Sequence, residues 1–359
     1  MIDRQNTFTG TRAPSPGLEI DPASLADYLS SHLDGFRGPL DIRQFKGGQS
    51  NPTYRLDAAS GSYVLRRKPP GKLLPSAHAI EREFRVMRAL GRARYPVPRV
   101  HCLSEDTGVI GTAFYVMDLV DGRVFWVPAI PDADPAERAE IYGALTQSLA
   151  RLHNFDVAAL GLQTFGRGDN YVGRQIARWS EQYRVSRTAD IAEMDRLIDW
   201  LPARIPEQGR TALVHGDYRL DNIILDHEKP VIHAVIDWEL ATIGDPIADF
   251  TNYLMQWHMP ASDSGAGTGS LVDLDLDMLG IPQSETVIAT YEAETGLNVQ
   301  PHLDFYLAYN LFRIAAILQG IVGRVRDGTA ANANAAAMAA QVRPIAEAAW
   351  QIAQGRSNA

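Results

Sequence analysis

The chain has 359 residues, of which 45% are hydrophobic and 21% charged, and its formal net charge is -9 at pH 7. This composition excludes disorder over most of the length and allows two lobes, each with its own core. An acidic chain without a long basic run repels a phosphate backbone, so nucleic acid is excluded as an expected partner.

The cysteine count and the first residues of the chain indicate its compartment. The single cysteine, Cys102, cannot form an internal disulfide, which fits a reducing environment, and its thiol is interpreted as structural. No segment approaches about 18 uninterrupted apolar residues, and the polar, Pro-rich N-terminus has no signal-peptide core. We therefore expect a cytoplasmic protein that does not contact membranes, with residues 1–20 as a flexible N-terminus.

Strand-like segments dominate residues 21–120, with one helix among them. The runs LDIRQF, TYRLDA and SYVLRR are separated by turn residues, as in an antiparallel meander. The segment SAHAIEREFRVMRALG has helical spacing and a terminal Gly, and the strand-like runs VPRVHCLS and TAFYVMDLV follow it. These patterns predict a small antiparallel-sheet lobe that ends in a hinge at DLVDGR, residues 118–123.

Helical patterns dominate residues 121–359, apart from one strand-rich island at residues 211–239. A small sheet lobe followed by a larger helical lobe predicts an α+β fold with a cleft between the lobes. The Gly- and Ser-rich segment at 261–270 is interpreted as a mobile loop, and the Ala-rich tail as a pair of surface helices bent at Pro344.

The island contains HGDYRLDN, in which Asp217 precedes Asn222 by five residues. This is the spacing of the catalytic-loop pattern H-R-D-x-x-x-x-N of phosphoryl transfer, with Gly in place of Arg. A carboxylate at Asp217 can orient an acceptor hydroxyl and take its proton, while Asn222 offers an oxygen to the metal of a nucleotide. Asp237, in VIDWE, is the predicted second Mg²⁺ ligand, although Trp238 and Glu239 stand where kinases have Phe and Gly.

The same polar residues allow other interpretations. A lone Asp in a turn usually caps the backbone, so Asp221 and Asp226 are interpreted as solvated turn residues. His215 is expected to brace the loop by hydrogen bonds, because phosphoryl transfer needs little base strength. A metal hydrolase site would lack the HxxxH or Cys-rich spacing of zinc sites, and its ligands would be His215, Asp217, His233 and Asp237.

A Gly-rich turn and a cationic strand provide the predicted nucleotide half of the site. The segment FKGGQSNPTYRL joins two strands, as a phosphate-covering loop must, and its candidate donors are Gly47, Gly48, Ser50 and Asn51. The next strand, SYVLRRKP, is expected to project one cation into the cleft. Strand alternation leaves Arg66 and Arg67 as candidates, and we favour Arg66.

The helix after this strand carries a carboxylate within its apolar stripe. Ile80, Phe84 and Met87 form the stripe, and Glu83 falls on the same face. A buried carboxylate needs a partner. Arg66 is the predicted partner, as in the strand-cation to helix-Glu pair of kinases.

With these motifs in order, the chain resembles the aminoglycoside phosphotransferase and choline kinase group of the protein-kinase-like fold. The matching segments are GGQSNPTY, YVLR, EREF, YVMDLVDG, LVHGDYRLDNIIL and VIDWELATIGDPIADF. The resemblance implies a small-molecule kinase whose N-terminal lobe, residues 21–120, binds ATP with Mg²⁺. It further implies that the adenine lies against Met117 and is held by the hinge backbone near Asp118 and Val120.

Within that group, the chain is most similar to kinase-like proteins encoded with, or fused to, acyl-CoA dehydrogenases. The segments that carry this likeness include VGRQIARWSEQY, YLMQWHMP and YNLFRIAAILQGIVGRV. The likeness implies a functional link to an acyl-CoA dehydrogenase and a hydroxyacyl-CoA as the phosphoryl acceptor.

Two alternatives stay open at this point. A cationic acceptor, such as an aminoglycoside or amino alcohol, would need acidic stretches such as DLVDG or LVDLDLD, whereas polyanionic CoA would need cations, for which the candidates are RRKPPGK, Arg174, Arg178 and Arg184. The other alternative is a catalytically silent nucleotide-binding scaffold. Its motivation is the strand Arg in place of Lys and the DWE sequence in place of DFG.

Overall fold

The computed structural model describes residues 4–47, 51–71, 79–261, 269–328 and 335–355 of the chain. Two residues of the predicted phosphate-covering turn, Gly48 and Ser50, lie outside the described residues, as does most of the predicted mobile loop at 261–270. Within the described ranges the chain forms a small sheet lobe followed by a larger helical lobe. This is the α+β arrangement that the sequence predicts.

The small lobe is built around an antiparallel sheet that carries helices on both faces. Its strands are β1 (Thr11–Arg12), β2 (Leu40–Phe45), β3 (Thr53–Ala58), β4 (Gly61–Arg67), β5 (Val100–Ser104) and β6 (Phe114–Asp118). They pair in the order β1-β2-β3-β4-β6-β5. Its helices are α1 (Arg4–Phe8), α2 (Pro22–His32) and α3 (Ile80–Arg92). Because side chains alternate along β4, Val64 packs with α3 on one face of the sheet while Leu65 packs with α2 on the other.

The sequence predicts a flexible terminus for residues 1–20, of which the part from Thr11 onward packs on the small lobe, while Gln5 and Phe8 contact Val124 and Trp126 after the hinge. Strand β1 pairs with β2, the Ser15 N–H donates to Gln44 Oε1 at 2.8 Å, and the Tyr54 hydroxyl donates to Leu18 O at 2.6 Å. Helix α2 is a further difference, because only one helix was predicted for this lobe. Asp21 caps α2, and an Asp-Pro pair is a helix-start signal from which α2 could have been predicted.

The large lobe is mainly helical. Its helices are α4 (Pro135–His153), α5 (Tyr171–Ser186), α6 (Ala192–Trp200), α7 (Pro246–Leu254), α8 (Leu276–Leu279), α9 (Ser284–Thr295), α10 (Leu303–Arg326) and α11 (Ala335–Ala353). Its strands are β7 (Ala212–Val214), β8 (Ile223–Leu225), β9 (Ile232–Val235) and β10 (Thr242–Gly244), of which β7 pairs with β10 and β8 with β9. These two short hairpin-like pairs are the predicted strand-rich island.

Two features of the C-terminal helices bear on the sequence predictions. By length and composition the helical residues Gln300–Arg326 could cross a membrane, but 78% of their apolar window is buried within the protein, as in a core helix. Helix α10 contacts α5, α7 and α11, which accounts for this burial. The Ala-rich tail forms the single helix α11 with Pro344 inside it, rather than two helices that meet at Pro344.

The chain crosses between the lobes within the predicted hinge at 118–123. Strand β6 ends at Asp118, and the Arg123 N–H already donates to Leu225 O of the large lobe at 2.7 Å. The Leu225 N–H donates back to Arg123 O at 2.9 Å, so the large lobe anchors the end of the hinge. The two lobes enclose a cleft of about 560 Å³.

Candidate active site

The interlobe cleft brings together most of the residues predicted for the site. Residues from both lobes line it, and those predicted from the sequence are Gly47, Arg66, Met117, Asp118, Val120, Asn222 and Asp237. The hinge residues Met117 and Val120 form part of one wall, as the predicted adenine contact requires. The Asp118 carboxylate accepts a hydrogen bond from His101 Nε2 at 2.6 Å. The backbone of the hinge, rather than this carboxylate, is therefore the part suited to contact a base.

Arg66 and Glu83 form the predicted buried pair. Arg66 Nε lies 3.1 Å from Glu83 Oε2, and Arg66 Nη2 lies 2.6 Å from Asp237 Oδ1. Arg67 points to the opposite face of the sheet, where its Nε donates to Thr112 Oγ1 at 2.9 Å. Arg66, and not Arg67, therefore lies at the cleft, because strand alternation places only Arg66 against α3.

Burial and neighbouring charges shape the ionisation of this pair. Burial raises the pKa of Glu83 to about 7, against the lowering effect of Arg66. Burial would lower the pKa of Arg66, but Glu83 and Asp237 hold that pKa above its usual value. The Tyr115 hydroxyl donates to Glu83 at 3.0 Å and Asn51 Nδ2 donates to it at 3.2 Å. Asn51, a predicted phosphate donor, thus contacts this carboxylate in the structure.

Replacing Glu83 by alanine is expected to lower the free energy of unfolding by about 3 kcal/mol, because breaking a buried ion pair leaves the other charge poorly compensated. The loss lies at the low end of the usual range for such pairs, since Arg66 keeps its contacts to Asp237 and Glu239. Urea denaturation monitored by circular dichroism measures the effect. An unfolding midpoint equal to that of the unmodified chain would show that the pair contributes nothing to stability.

The catalytic-loop residues Asp217 and Asn222 are in direct contact. Asn222 Nδ2 donates to Asp217 O at 2.9 Å and lies 3.3 Å from its Oδ2. His215 braces the loop as predicted, since its Nδ1 accepts from the Asp217 N–H at 3.2 Å and its Nε2 donates to Ile236 O at 3.0 Å. Ile236 directly precedes Asp237, so the imidazole joins the two segments that carry the candidate catalytic residues.

Two residues that hold this loop were missed from the sequence. Asp249 of α7 accepts the backbone N–H groups of His215 at 2.7 Å and Gly216 at 2.8 Å. Arg313 of α10 donates from Nη2 to Gly216 O at 2.7 Å. Burial would raise the pKa of Asp249, but hydrogen bonds from His153 and the loop hold that pKa below its usual value. An Asp within the apolar segment GDPIADF was an available signal, of the kind that identified Glu83.

Replacing Gly216 by alanine is expected to lower the free energy of unfolding by at least about 2 kcal/mol and to reduce turnover. Gly216 has φ +83°, and an added Cβ would lie 2.9 Å from Leu240 O. Its N–H and its carbonyl are both bonded, so the loop has little room to relax. The matched control is Gly209→Ala, where a Cβ meets nothing within 4 Å. Chemical denaturation of both variants measures the effect, and equal stabilities would contradict it.

Two of the remaining acidic residues of the loop behave differently from each other. Asp226 caps a turn by accepting from the backbone N–H groups of Glu228 and Lys229, as predicted. The prediction of a solvated residue is wrong for Asp221, which is 8% exposed and accepts from Arg219 Nη2 at 2.5 Å. Both residues directly follow a leucine, and packing around the 3₁₀ turn at Leu220–Asn222 buries Asp221.

Asn222 and Asp237 supply oxygen donors of the kind that Mg²⁺ prefers. Because Asn222 Nδ2 donates to Asp217, the amide presents its Oδ1 in another direction. Asp237 has φ +66° at the start of the turn Trp238–Leu240, an uncommon backbone conformation that Asp tolerates. One amide oxygen and one carboxylate fit a magnesium ion whose other ligands are phosphate oxygens and water.

The metal-hydrolase interpretation does not fit the described part of the chain. His233 Nε2 pairs with Asp226 at 3.2 Å and its Nδ1 lies 3.2 Å from Asp121 O. His215 is engaged by the backbone, as described above. Among the described residues, no group of three or more His, Cys, Asp or Glu side chains could hold a metal ion by itself.

Known proteins that are similar to this chain include phosphotransferases. A profile of the family described as "Phosphotransferase enzyme family" matches residues 41–271. The chain is 43% identical over 344 residues to acyl-CoA dehydrogenase family member 10 of Mus musculus, a match that covers 96% of this chain and 32% of that protein. The chain thus spans about a third of the length of this relative.

Solved structures show the same likeness. A protein from Ralstonia eutropha, classed as an aminoglycoside phosphotransferase, is 43% identical with a TM-score of 0.85, and the match covers 94% of this chain and 99% of that one. Spectinomycin phosphotransferase, solved with ADP and spectinomycin, shares the fold at 13% identity and a TM-score of 0.62, with 93% of this chain and 99% of that one covered.

Proposed function

Because the chain belongs to the phosphotransferase enzyme family and has the two-lobe kinase-like fold, we propose that it transfers a phosphoryl group from ATP to a hydroxyl of a small molecule. The observation that carries the proposal is that Arg66, Asn222 and Asp237 line one cleft, where Arg66 contacts Asp237 and Asn222 contacts Asp217 of the catalytic loop. The fold neighbour that binds ADP supports an adenine nucleotide as the donor.

Each residue has a distinct role in this proposal. Asp217 orients the acceptor hydroxyl and takes its proton as the phosphoryl group is transferred. Asn222 and Asp237 would hold Mg²⁺, which offsets the negative charge of the phosphates when it is bound. Arg66, positioned by Glu83, contributes a forked cation on the nucleotide side. The protein therefore acts mainly by positioning and charge compensation, as phosphoryl transfer requires.

A hydroxyacyl-CoA is the proposed acceptor class. Within the acidic stretches that could attract a polycation, Asp118 pairs with His101 and Asp275 caps α8. On α5, the exposed Arg178 stacks on Trp179, which in turn lies 6.0 Å from the guanidinium of the loop-binding Arg313. An exposed cation on α5 favours an anionic acceptor over a polycation. The similarity to acyl-CoA dehydrogenase family member 10 supports the acyl-CoA class and a functional link to acyl-CoA oxidation. Cytoplasmic location is part of the same proposal.

An ADP-release assay with three acceptor classes tests this function. Purified protein and MgATP are incubated with 3-hydroxybutyryl-CoA, an aminoglycoside or an amino alcohol, and phosphorylated products are identified by mass spectrometry. ADP is expected to form with the CoA ester and with neither of the other two acceptors. Phosphorylation of the aminoglycoside or amino alcohol instead would contradict the acceptor class. Binding of MgATP with no ADP from any acceptor would favour the catalytically silent scaffold.

A further inference from the structure

A second, smaller cavity lies beside the catalytic loop and shares walls with the interlobe cleft. Phe125, Trp126 and Asp221 line both spaces. The second cavity lies between the segment after the hinge, the catalytic loop and the end of α7, and its volume of about 20 Å³ has room for one water-sized group. Arg219, which follows Asp217 by two residues, lines this cavity. The cavity therefore adjoins the catalytic loop.

The walls of this cavity are mostly apolar, and its charges are paired. Phe125, Trp126, Pro128 and Met255 supply aromatic and aliphatic surface. Among the described residues that line the cavity, Asp221 is the one carboxylate, and Arg219 Nη2 donates to it at 2.5 Å. Such surroundings disfavour a bound polycation, which would need uncompensated carboxylates.

Two buried N–H groups at this cavity have no hydrogen-bond partner within the described part of the chain. Asn252 is 2% exposed, and its Oδ1 accepts a hydrogen bond from Arg313 Nη1 at 3.1 Å. Because an arginine can only donate, this contact identifies the amide oxygen and thereby the amide nitrogen, Nδ2. Its Nδ2 is buried without a partner among the described residues. Arg219 Nε is also buried without a hydrogen bond among the described residues, and it lies 3.6 Å from Asp217 Oδ1. Buried donors without acceptors are costly, so Asn252 Nδ2 at this cavity points to a ligand atom that accepts, with Arg219 Nε, which lies near Asp217, as a second donor.

We propose that this cavity is an acceptor subsite in which Asn252 Nδ2, assisted by Arg219, binds the carbonyl oxygen of an acyl group. The inference rests on the proposed phosphotransfer and names the group that the site recognises beside the reacting hydroxyl. A carbonyl oxygen accepts two hydrogen bonds and carries no charge, which matches two donors among apolar walls. An ammonium group has only donors and cannot bind here. Asn252 is thus a specificity-determining residue, because an acceptor whose carbonyl lies a few bonds from its hydroxyl reaches both Asn252 and Asp217.

The first test compares two acceptors on the unmodified chain. One is 3-hydroxybutyryl-CoA, and the other is its thioether analogue, in which a methylene group replaces the thioester carbonyl. Loss of the hydrogen bond to the oxygen is expected to raise KM for the thioether by about tenfold. Equal KM values would show that the cavity holds a buried water only, and this would overturn the subsite while phosphotransfer stands.

The second test changes the donor. Asn252→Asp keeps an oxygen for Arg313 but replaces the N–H donor by a carboxylate oxygen. We expect KM for the thioester to rise by about tenfold, kcat to change less, and the thioester and thioether to become equivalent. The control is Asn154→Asp at the exposed end of α4, where Asn154 Oδ1 accepts from Arg210 at 3.1 Å in the same way. The control is expected to keep the discrimination between the two acceptors.

Further outcomes distinguish a failure of the proposed subsite from a failure of the proposed function. If Asn252→Asp keeps the tenfold preference for the thioester, Asn252 does not read the carbonyl and the proposal is wrong. Phosphorylation of an aminoglycoside or amino alcohol, but of neither acyl acceptor, overturns the carbonyl subsite and leaves the phosphotransferase assignment intact. Absence of ADP with every acceptor overturns both. The acceptor comparison on the unmodified chain holds even if the variant fails to fold.

Discussion

Replacing Asp217 by alanine is expected to lower kcat by about 10²- to 10⁴-fold, the usual contribution of a positioned general base or orienting carboxylate. The backbone of this residue is held by His215 and its carbonyl by Asn222, so truncation of the side chain removes the carboxylate without releasing the loop. Turnover is measured as ADP release with the best acceptor of the panel. Binding of MgATP, measured by calorimetry, is expected to stay close to that of the unmodified chain.

The matched control for this variant is Asp226→Ala, which removes a carboxylate from the turn that follows β8. Asp226 caps the backbone at Glu228 and Lys229 and, unlike Asp217, makes no contact with Asn222. Its replacement is expected to change kcat by less than about twofold. Full turnover in Asp217→Ala, on any acceptor that the unmodified chain phosphorylates, would remove the catalytic assignment.

Replacing Asp237 by asparagine is expected to lower kcat/KM by at least about 10³-fold, because a metal ligand contributes several kcal/mol and each 1.36 kcal/mol is tenfold. The carboxylate is the one proposed to hold Mg²⁺, and it also contacts Arg66 Nη2 at 2.6 Å. Arg66 keeps Glu83 as a partner in the variant, so the small lobe is expected to stay folded. The measurement is turnover as a function of Mg²⁺ concentration at saturating ATP.

The magnesium titration distinguishes the two variants. Asp237→Asn is expected to shift the half-saturating Mg²⁺ concentration upward, whereas Asp217→Ala should leave it in place and lower only the plateau. Asp226→Asn is the control, since it makes the same chemical change in an exposed turn of the island. A variant at Asp237 with the Mg²⁺ dependence of the unmodified chain would show that the metal is held elsewhere.

The predictable part of the site consists of groups that are close in sequence or follow a regular period. Asp217 and Asn222 lie five residues apart in one loop, so their contact follows from local geometry. Arg66 and Glu83 were paired because a carboxylate in an apolar helical stripe needs a cation, and the structure confirms the contact. Their catalytic roles stay predictions.

The parts that were missed depend on distant packing. Asp249 and Arg313 reach the catalytic loop from α7 and α10, 33 and 97 residues from Gly216. No periodicity in the loop itself could indicate those partners. Residues 1–20 were predicted as a flexible terminus from their polar composition, and the pairing of β1 within them with β2 is a contact that composition does not indicate. Asp221 was assigned to solvent on local composition, and its burial comes from Arg219 and the surrounding cavity.

The sequence by itself determined two lobes, the catalytic-loop spacing, the carboxylate that we propose to hold the metal, and the cation with its buried partner. These properties are local, because hydrophobic period, turn residues and motif spacing act over a few residues. The tertiary structure alone decided which carboxylates are buried, which helices hold the loop, and where donors such as Asn252 Nδ2 lack a partner within the described residues. Those properties arise when segments far apart in the chain pack together and exclude water from the polar groups between them.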